Sequence, residues 1–138
     1  PPPQTVPGGE PPQRALVLGT GGASQAVQYV LAQMEIPFDL VSRNPATGNY
    51  TYDEVSDEVI GSHRLIINAS PVGMHPNVEE APRIPYAFVT PSHYLFDLIY
   101  NPAETLFLQY GAQRGAHTCN GLDMLVGQAE AAWAIWNR

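Results

Sequence analysis

Ala15-Leu16-Val17-Leu18-Gly19-Thr20-Gly21-Gly22-Ala23-Ser24 is the stretch on which the fold turns. Four consecutive apolar residues running straight into glycine read as a short strand buried on both faces, the signature of a parallel sheet. Beyond the glycines, Ala26, Val27, Val30, Leu31 and Met34 recur at helical spacing before Pro37, which predicts a helix over residues 23–34. A glycine-rich turn between strand and helix has a specific physical use. Glycines let the backbone approach a pyrophosphate, and the helix start offers unpaired N–H groups and the positive end of its dipole. The third small position is Ser24, which still permits close helix–strand packing. No Lys-Ser/Thr pair follows, so the loop does not read as a nucleoside-triphosphate loop.

The same alternation continues outward. Residues 38–42 read as a second strand, and Thr51 with Glu54 makes a capping box that predicts a short helix towards Ile60. Leu65-Ile66-Ile67 reads as a third strand ending at Asn68; Pro71, Pro76, Pro82 and Pro85 then exclude regular structure. Residues 94–99 read as a fourth strand. Asn101-Pro102-Ala103-Glu104 supplies a cap, a proline and an acid for a helix ending near Gly111 or Gly115. Residues 117–119 suit a short last strand, and Asn120 a cap for a final helix with Leu122, Leu125, Val126, Ala129, Ala132, Trp133 and Trp136 on one side. Strands alternating with helices predict an α/β fold: a Rossmann-like, doubly wound parallel sheet with helices on both faces. The expected organisation is one domain over residues 14–138, preceded by a Pro/Gly-rich linker or tail over residues 1–13 with six prolines.

Composition narrows the partners. The chain has 138 residues, a 44% hydrophobic content and a formal charge of −7, enough for one real core but repelled by phosphate backbones and acidic lipids. No nucleic acid and no membrane partner are therefore expected. Cys119 is the single cysteine, read as a small core residue rather than a thiol reagent. With no signal peptide or span of roughly 18 apolar residues visible, a cytoplasmic location is the expectation. The four histidines are scattered and no metal site is expected.

The end of the second strand bears on cofactor choice. Sites for NAD usually place an acid there, whereas this chain reads Ser42-Arg43-Asn44, with Asp39 lying earlier. Arginine offers a planar, permanently charged fork suited to a 2′-phosphate, so NADP(H) is the expected cofactor.

Three further motifs, Asn68-Ala69-Ser70-Pro71-Val72-Gly73-Met74, Asp97-Leu98-Ile99-Tyr100-Asn101-Pro102 and Asn120-Gly121-Leu122-Asp123-Met124-Leu125 with Gln128, complete a series of five. In that order and spacing they resemble the C-terminal domain of shikimate dehydrogenases, over roughly residues 14–138. The resemblance implies an oxidoreductase of aromatic amino-acid (chorismate) biosynthesis, in which NADPH delivers hydride to 3-dehydroshikimate. It implies that Gly19, Thr20, Gly21, Gly22, Ala23 and Ser24 bind the pyrophosphate, and Ser42, Arg43 and Asn44 the 2′-phosphate end. Asn68, Ser70 and Met74 would border the nicotinamide, with Leu98 near the ring and the Gly121 carbonyl on its amide. Tyr100 and Gln128 would reach the substrate; Gly121, Met124 and Gln128 share helical spacing and a face apart from the tryptophans.

Two departures from that family matter. A second basic residue often follows the first arginine, but here Pro45-Ala46-Thr47-Gly48 follows, so discrimination against NAD is expected to be weaker. The family also draws a lysine and an aspartate from an N-terminal substrate domain. All six basic residues here are arginines, so the chain alone is expected to reduce 3-dehydroshikimate negligibly, and no catalytic residue is assigned within it. An NADPH absorbance assay on the 138-residue chain checks this. Two other readings remain open: a non-catalytic NADP(H)-binding module, and a quinate/shikimate dehydrogenase using NAD.

Overall fold

The computed structural model describes residues 14–121. The proline-rich leader over residues 1–13 and the segment expected to form the final helix, with Met124, Gln128, Trp133 and Trp136, lie outside the described residues. Five strands, β1 (Ala15–Leu18), β2 (Phe38–Val41), β3 (Leu65–Asn68), β4 (Tyr94–Asp97) and β5 (His117–Asn120), form one sheet in the order β2-β1-β3-β4-β5. Every neighbouring pair is parallel, as the expected doubly wound fold requires.

Burial explains why such short strands suffice. Each residue of β1 and β3 is buried, and alternate residues feed opposite faces of the sheet. On one face Ala15, Val17, Leu65, Ile67 and Phe96 pack with Val27, Leu31 and Ile36, the inward stripe of helix α1 (Gly22–Gln33) and the turn after it. On the other, Leu16, Leu18, Ile66 and Leu95 pack with Val59 and Ile60 of helix α2 (Asp57–Ser62) and Phe107 and Leu108 of helix α3 (Leu106–Gln113). Chain direction along the sheet reverses after β2, so right-handed crossovers put α1 on one face and α2 on the other. The reversal opens a crevice between the C-terminal ends of β1 and β3, where open α/β sheets receive ligands. Among the described residues, no helix is long and apolar enough to cross a membrane.

Asp39, noted above as an acid too early for a ribose, serves the scaffold. Its Oδ2 accepts from Arg14 Nε at 2.9 Å and pairs with Nε2 of buried His63 at 2.7 Å, while His63 Nδ1 meets the Val59 carbonyl at 2.6 Å. Burial pulls the Asp39 carboxyl upward, but the hydrogen bonds and charges of His63 and Arg14 outweigh it and hold it below its ordinary value. Its folded-state pKa being depressed, this carboxylate adds stability above 3.8 that is lost as pH falls below that value.

Several local expectations need correction. The Thr51–Glu54 box forms, with the Glu54 carboxylate accepting the Thr51 N–H at 2.7 Å, but it opens only a 3-10 turn, Tyr52–Glu54. The helix itself starts at Asp57, where the Ser56 hydroxyl accepts the Val59 N–H at 3.3 Å. Similarly, the fourth strand ends at Asp97 rather than at 99, and Asn101-Pro102-Ala103-Glu104 does not start a helix. The Asn101–Pro102 peptide is cis, and the Asn101 carbonyl accepts the N–H of His75 at 3.0 Å. Thr105 caps α3 instead, because Asp97 anchors its hydroxyl at 2.6 Å while that oxygen accepts the Leu108 N–H at 3.3 Å. The last strand runs one residue further than 119, to Asn120, whose side-chain amide donates to the Ala103 carbonyl at 2.7 Å; its expected cap of the final helix concerns residues outside those described. The proline-rich loop carries a 3-10 turn, Tyr86–Phe88.

Candidate cofactor-binding site

The glycine turn closes β1 where three chain segments meet. Gly19 donates its N–H to the Val41 carbonyl at 2.8 Å, which ties the turn to the end of β2. Its φ of +110° suits glycine, and a Cβ there would stand 3.2 Å from the backbone of Ala69 and Ser70 after β3. Gly21 and Gly22 differ in kind: a Cβ at either meets nothing within 4 Å. The space they leave is an open cavity of about 770 Å³ along the C-terminal edge of the sheet. Gly19, Thr20, Gly21, Gly22 and Ala23 line it together with Arg43 after β2, Ser70 and Met74 after β3, and Leu98 and Tyr100 after β4. Because α1 makes its first helical hydrogen bond from Gln25 to the Gly21 carbonyl at 3.1 Å, its opening amides have no helical acceptor.

Charge at this cavity is unlike that of the chain. The protein carries −7, yet no carboxylate lines the cavity, and Arg43 is its one permanent cation among the described residues. The α1 first turn is likewise free of acids. An anion placed there meets amides, a helix dipole and a guanidinium, with no carboxylate in the lining to oppose it. The lining therefore fits a dinucleotide pyrophosphate at its centre and a further phosphate beside Arg43.

Not all residues singled out from the sequence line this space. Ser42 is buried, its hydroxyl shared with Thr47 at 2.7 Å and accepting the Asn44 N–H at 3.0 Å. Asn44 Oδ1 accepts the Ala46 N–H at 2.9 Å, so Ser42 and Asn44 shape the turn that presents Arg43. Ser24 is also buried, accepting from Gln28 at 3.1 Å. Asn68 lies beneath the cavity. Its amide nitrogen donates to the Val72 carbonyl and to Asp97, each at 3.2 Å, and its oxygen accepts the Ser70 hydroxyl at 2.6 Å. Gly121, with φ +83°, donates its N–H to the Asp97 carbonyl at 2.7 Å at the end of β5.

Asp97 organises this underside. The fully buried carboxylate accepts from Thr105 Oγ at 2.6 Å, the Ile99 N–H at 3.0 Å and Asn68 Nδ2 at 3.2 Å, joining the loops after β3 and β4 to the start of α3. Burial raises its pKa, against the opposing pull of those three donors.

Sequence reading missed Tyr52, Ala69, Pro71, Val72, His75, Ile99 and Asn101 in the lining. Ala69, Pro71 and Val72 fall inside a motif already singled out, as do Ile99 and Asn101. His75 follows one directly. Tyr52 had no local signal, because the turn that carries it was expected to open a helix.

No family model matches the chain. Individual proteins do. A shikimate dehydrogenase (NADP(+)) of Caldanaerobacter subterraneus is 35% identical over 139 residues, which cover 90% of this chain and 49% of that protein. Among solved structures, a chorismate mutase/shikimate 5-dehydrogenase fusion protein from Clostridium acetobutylicum is 37% identical with a TM-score of 0.69, covering 92% of this chain and 48% of that one. The shikimate 5-dehydrogenase of Thermus thermophilus, solved in complex with NADP(H) and shikimate, is 30% identical with a TM-score of 0.68, covering 91% and 50%. The chain spans about half the length of the curated relatives it matches. By sequence and by fold, this chain is similar to one half of the shikimate dehydrogenases it matches.

Proposed function

We propose that the chain is the NADP(H)-binding domain of a dehydrogenase that reduces 3-dehydroshikimate to shikimate. One observation carries this reading: in a chain of charge −7, a cavity lined by the β1 glycine turn and Arg43, with no carboxylate among its described lining residues. The names of the relatives support the choice of cofactor and substrate. NADPH, when bound, supplies the hydride. The residues of this chain hold it: the Gly19–Ala23 turn on the pyrophosphate, Arg43 on the 2′-phosphate, and Ser70, Met74 and Leu98 beside the nicotinamide half. Tyr100, 79% exposed beside the same cavity, reaches towards substrate. Orientation of the reacting ketone and its protonation belong to a partner domain, since this sequence contains no lysine.

Calorimetric titration of the chain with NADPH and with NADH tests the reading. NADPH is expected to bind more tightly. Arg43→Ala is expected to weaken NADPH roughly 10- to 100-fold while changing NADH by less than about threefold, the effect of losing a charge-assisted fork. Equal affinity for both cofactors removes Arg43 from the role. Binding of neither overturns the assignment for the chain by itself.

A further inference from the structure

Arg43 shares its end of the cavity with Tyr52. The Tyr52 ring packs against the core cluster that contains Leu16, Leu18 and Val55, so its body is fixed by the scaffold. Its hydroxyl meets the Ser70 side chain and lies within electrostatic reach of the Arg43 guanidinium. Two chain segments that follow different strands are thus brought together at one corner of the site.

A phosphate monoester near neutral pH carries about −1.5 to −2 charges and three strong acceptor oxygens. One guanidinium in its bidentate mode serves two of them and leaves the third to be met by another donor or by water. Ser70 is a poor candidate for that donor, since its proton is committed to Asn68 Oδ1 at 2.6 Å. With that proton on Asn68, the Tyr52 phenol gives its own proton to the Ser70 oxygen in the ligand-free chain, and rotation about its C–O bond re-aims it at an arriving phosphate. We propose, resting on the NADP(H) reading above, that Tyr52 is a specificity-determining residue whose hydroxyl donates a hydrogen bond to the 2′-phosphate paired with Arg43. Burial pushes this phenol above its ordinary value despite the pulls of Ser70 and Arg43, so it stays a protonated donor throughout the neutral range. Selectivity for the phosphorylated cofactor is then shared between a cation and a neutral donor. This geometry rejects NADH mainly through the bonds it fails to make.

Tyr52→Phe keeps the ring on the core and removes only the donor. Titrated with NADPH, NADH and 2′,5′-ADP, this variant is expected to lose roughly tenfold for both 2′-phosphorylated ligands and less than about twofold for NADH, with its ligand-free unfolding temperature unchanged. Unaltered NADPH affinity in Tyr52→Phe, alongside a large loss in Arg43→Ala, overturns the role of Tyr52 and leaves the cofactor reading standing. An equal loss for NADPH and NADH also overturns it, because the residue then supports the site as a whole. Failure of the unsubstituted chain to bind NADPH overturns both together.

Discussion

Gly21→Val is expected to leave the ligand-free fold standing while weakening NADPH by at least about 100-fold, because the added side chain fills the space a pyrophosphate must enter. Gly21 has φ −82° and ψ −161°, extended backbone that valine adopts readily, and a Cβ there meets no atom within 4 Å. As the N-cap of α1 it makes no side-chain cap, so the expected stability loss is at most about 1 kcal/mol. Gly19 makes the opposite test within the same loop. With φ +110° and backbone of Ala69 and Ser70 3.2 Å from a Cβ, Gly19→Ala is expected to cost roughly 1–3 kcal/mol of stability before any ligand is added. Thermal unfolding and calorimetry on both variants separate the two kinds of glycine. If Gly21→Val binds NADPH as well as the unsubstituted chain, the loop is only a turn and the cavity is not a pyrophosphate site.

Asp97→Ala is expected to destabilise the domain by about 3–5 kcal/mol, among the largest effects a single side chain can have here. The substitution strands three buried donors at once: Ile99 N–H, Asn68 Nδ2 and Thr105 Oγ. It also frees the Thr105 cap of α3 and leaves a void beneath the loops that carry Ser70 and Leu98. Asp97→Asn keeps an acceptor for Ile99 and Asn68 but presents a second donor to Thr105, for a smaller loss of about 1–2 kcal/mol. The carboxyl also has a pH signature. Its folded pKa is raised, so the unfolded chain gives up this proton first, and stability falls as pH rises from 3.8 towards the folded value, then levels. Asp39 acts on the other side of that value, its depressed pKa adding stability as pH rises towards 3.8 and nothing further above it. Urea unfolding across the acid range should therefore show Asp97→Asn gaining relative to the unsubstituted chain as pH rises above 3.8. An unchanged difference across that range rules the carboxyl out as the source.

What the sequence by itself determined are the elements whose signal is periodic or local. The buried runs of β1 and β3, the helical spacing of α1 and the glycine turn between strand and helix need no distant partner to be read, and all appear within a residue or so of expectation. Parallel order followed from alternation alone. Which polar residues face the cavity was a different matter. Ser42, Asn44 and Asn68 stand in the same motifs as Arg43 and Ser70, yet exposed Asn44 is taken up by a local turn with Ala46, and buried Ser42 and Asn68 are turned to neighbouring backbone and to Asp97, because buried polar atoms must find partners. The cap of α3 moved from Asn101 to Thr105 for the same reason: a carboxylate eight residues earlier holds the hydroxyl in place. Tyr52 became part of the site only when the sheet brought the segment after β2 beside the one after β3. Local pattern specifies strands, helices and turns; long-range hydrogen-bond satisfaction, legible only in three dimensions, decides which side chains remain to meet a ligand.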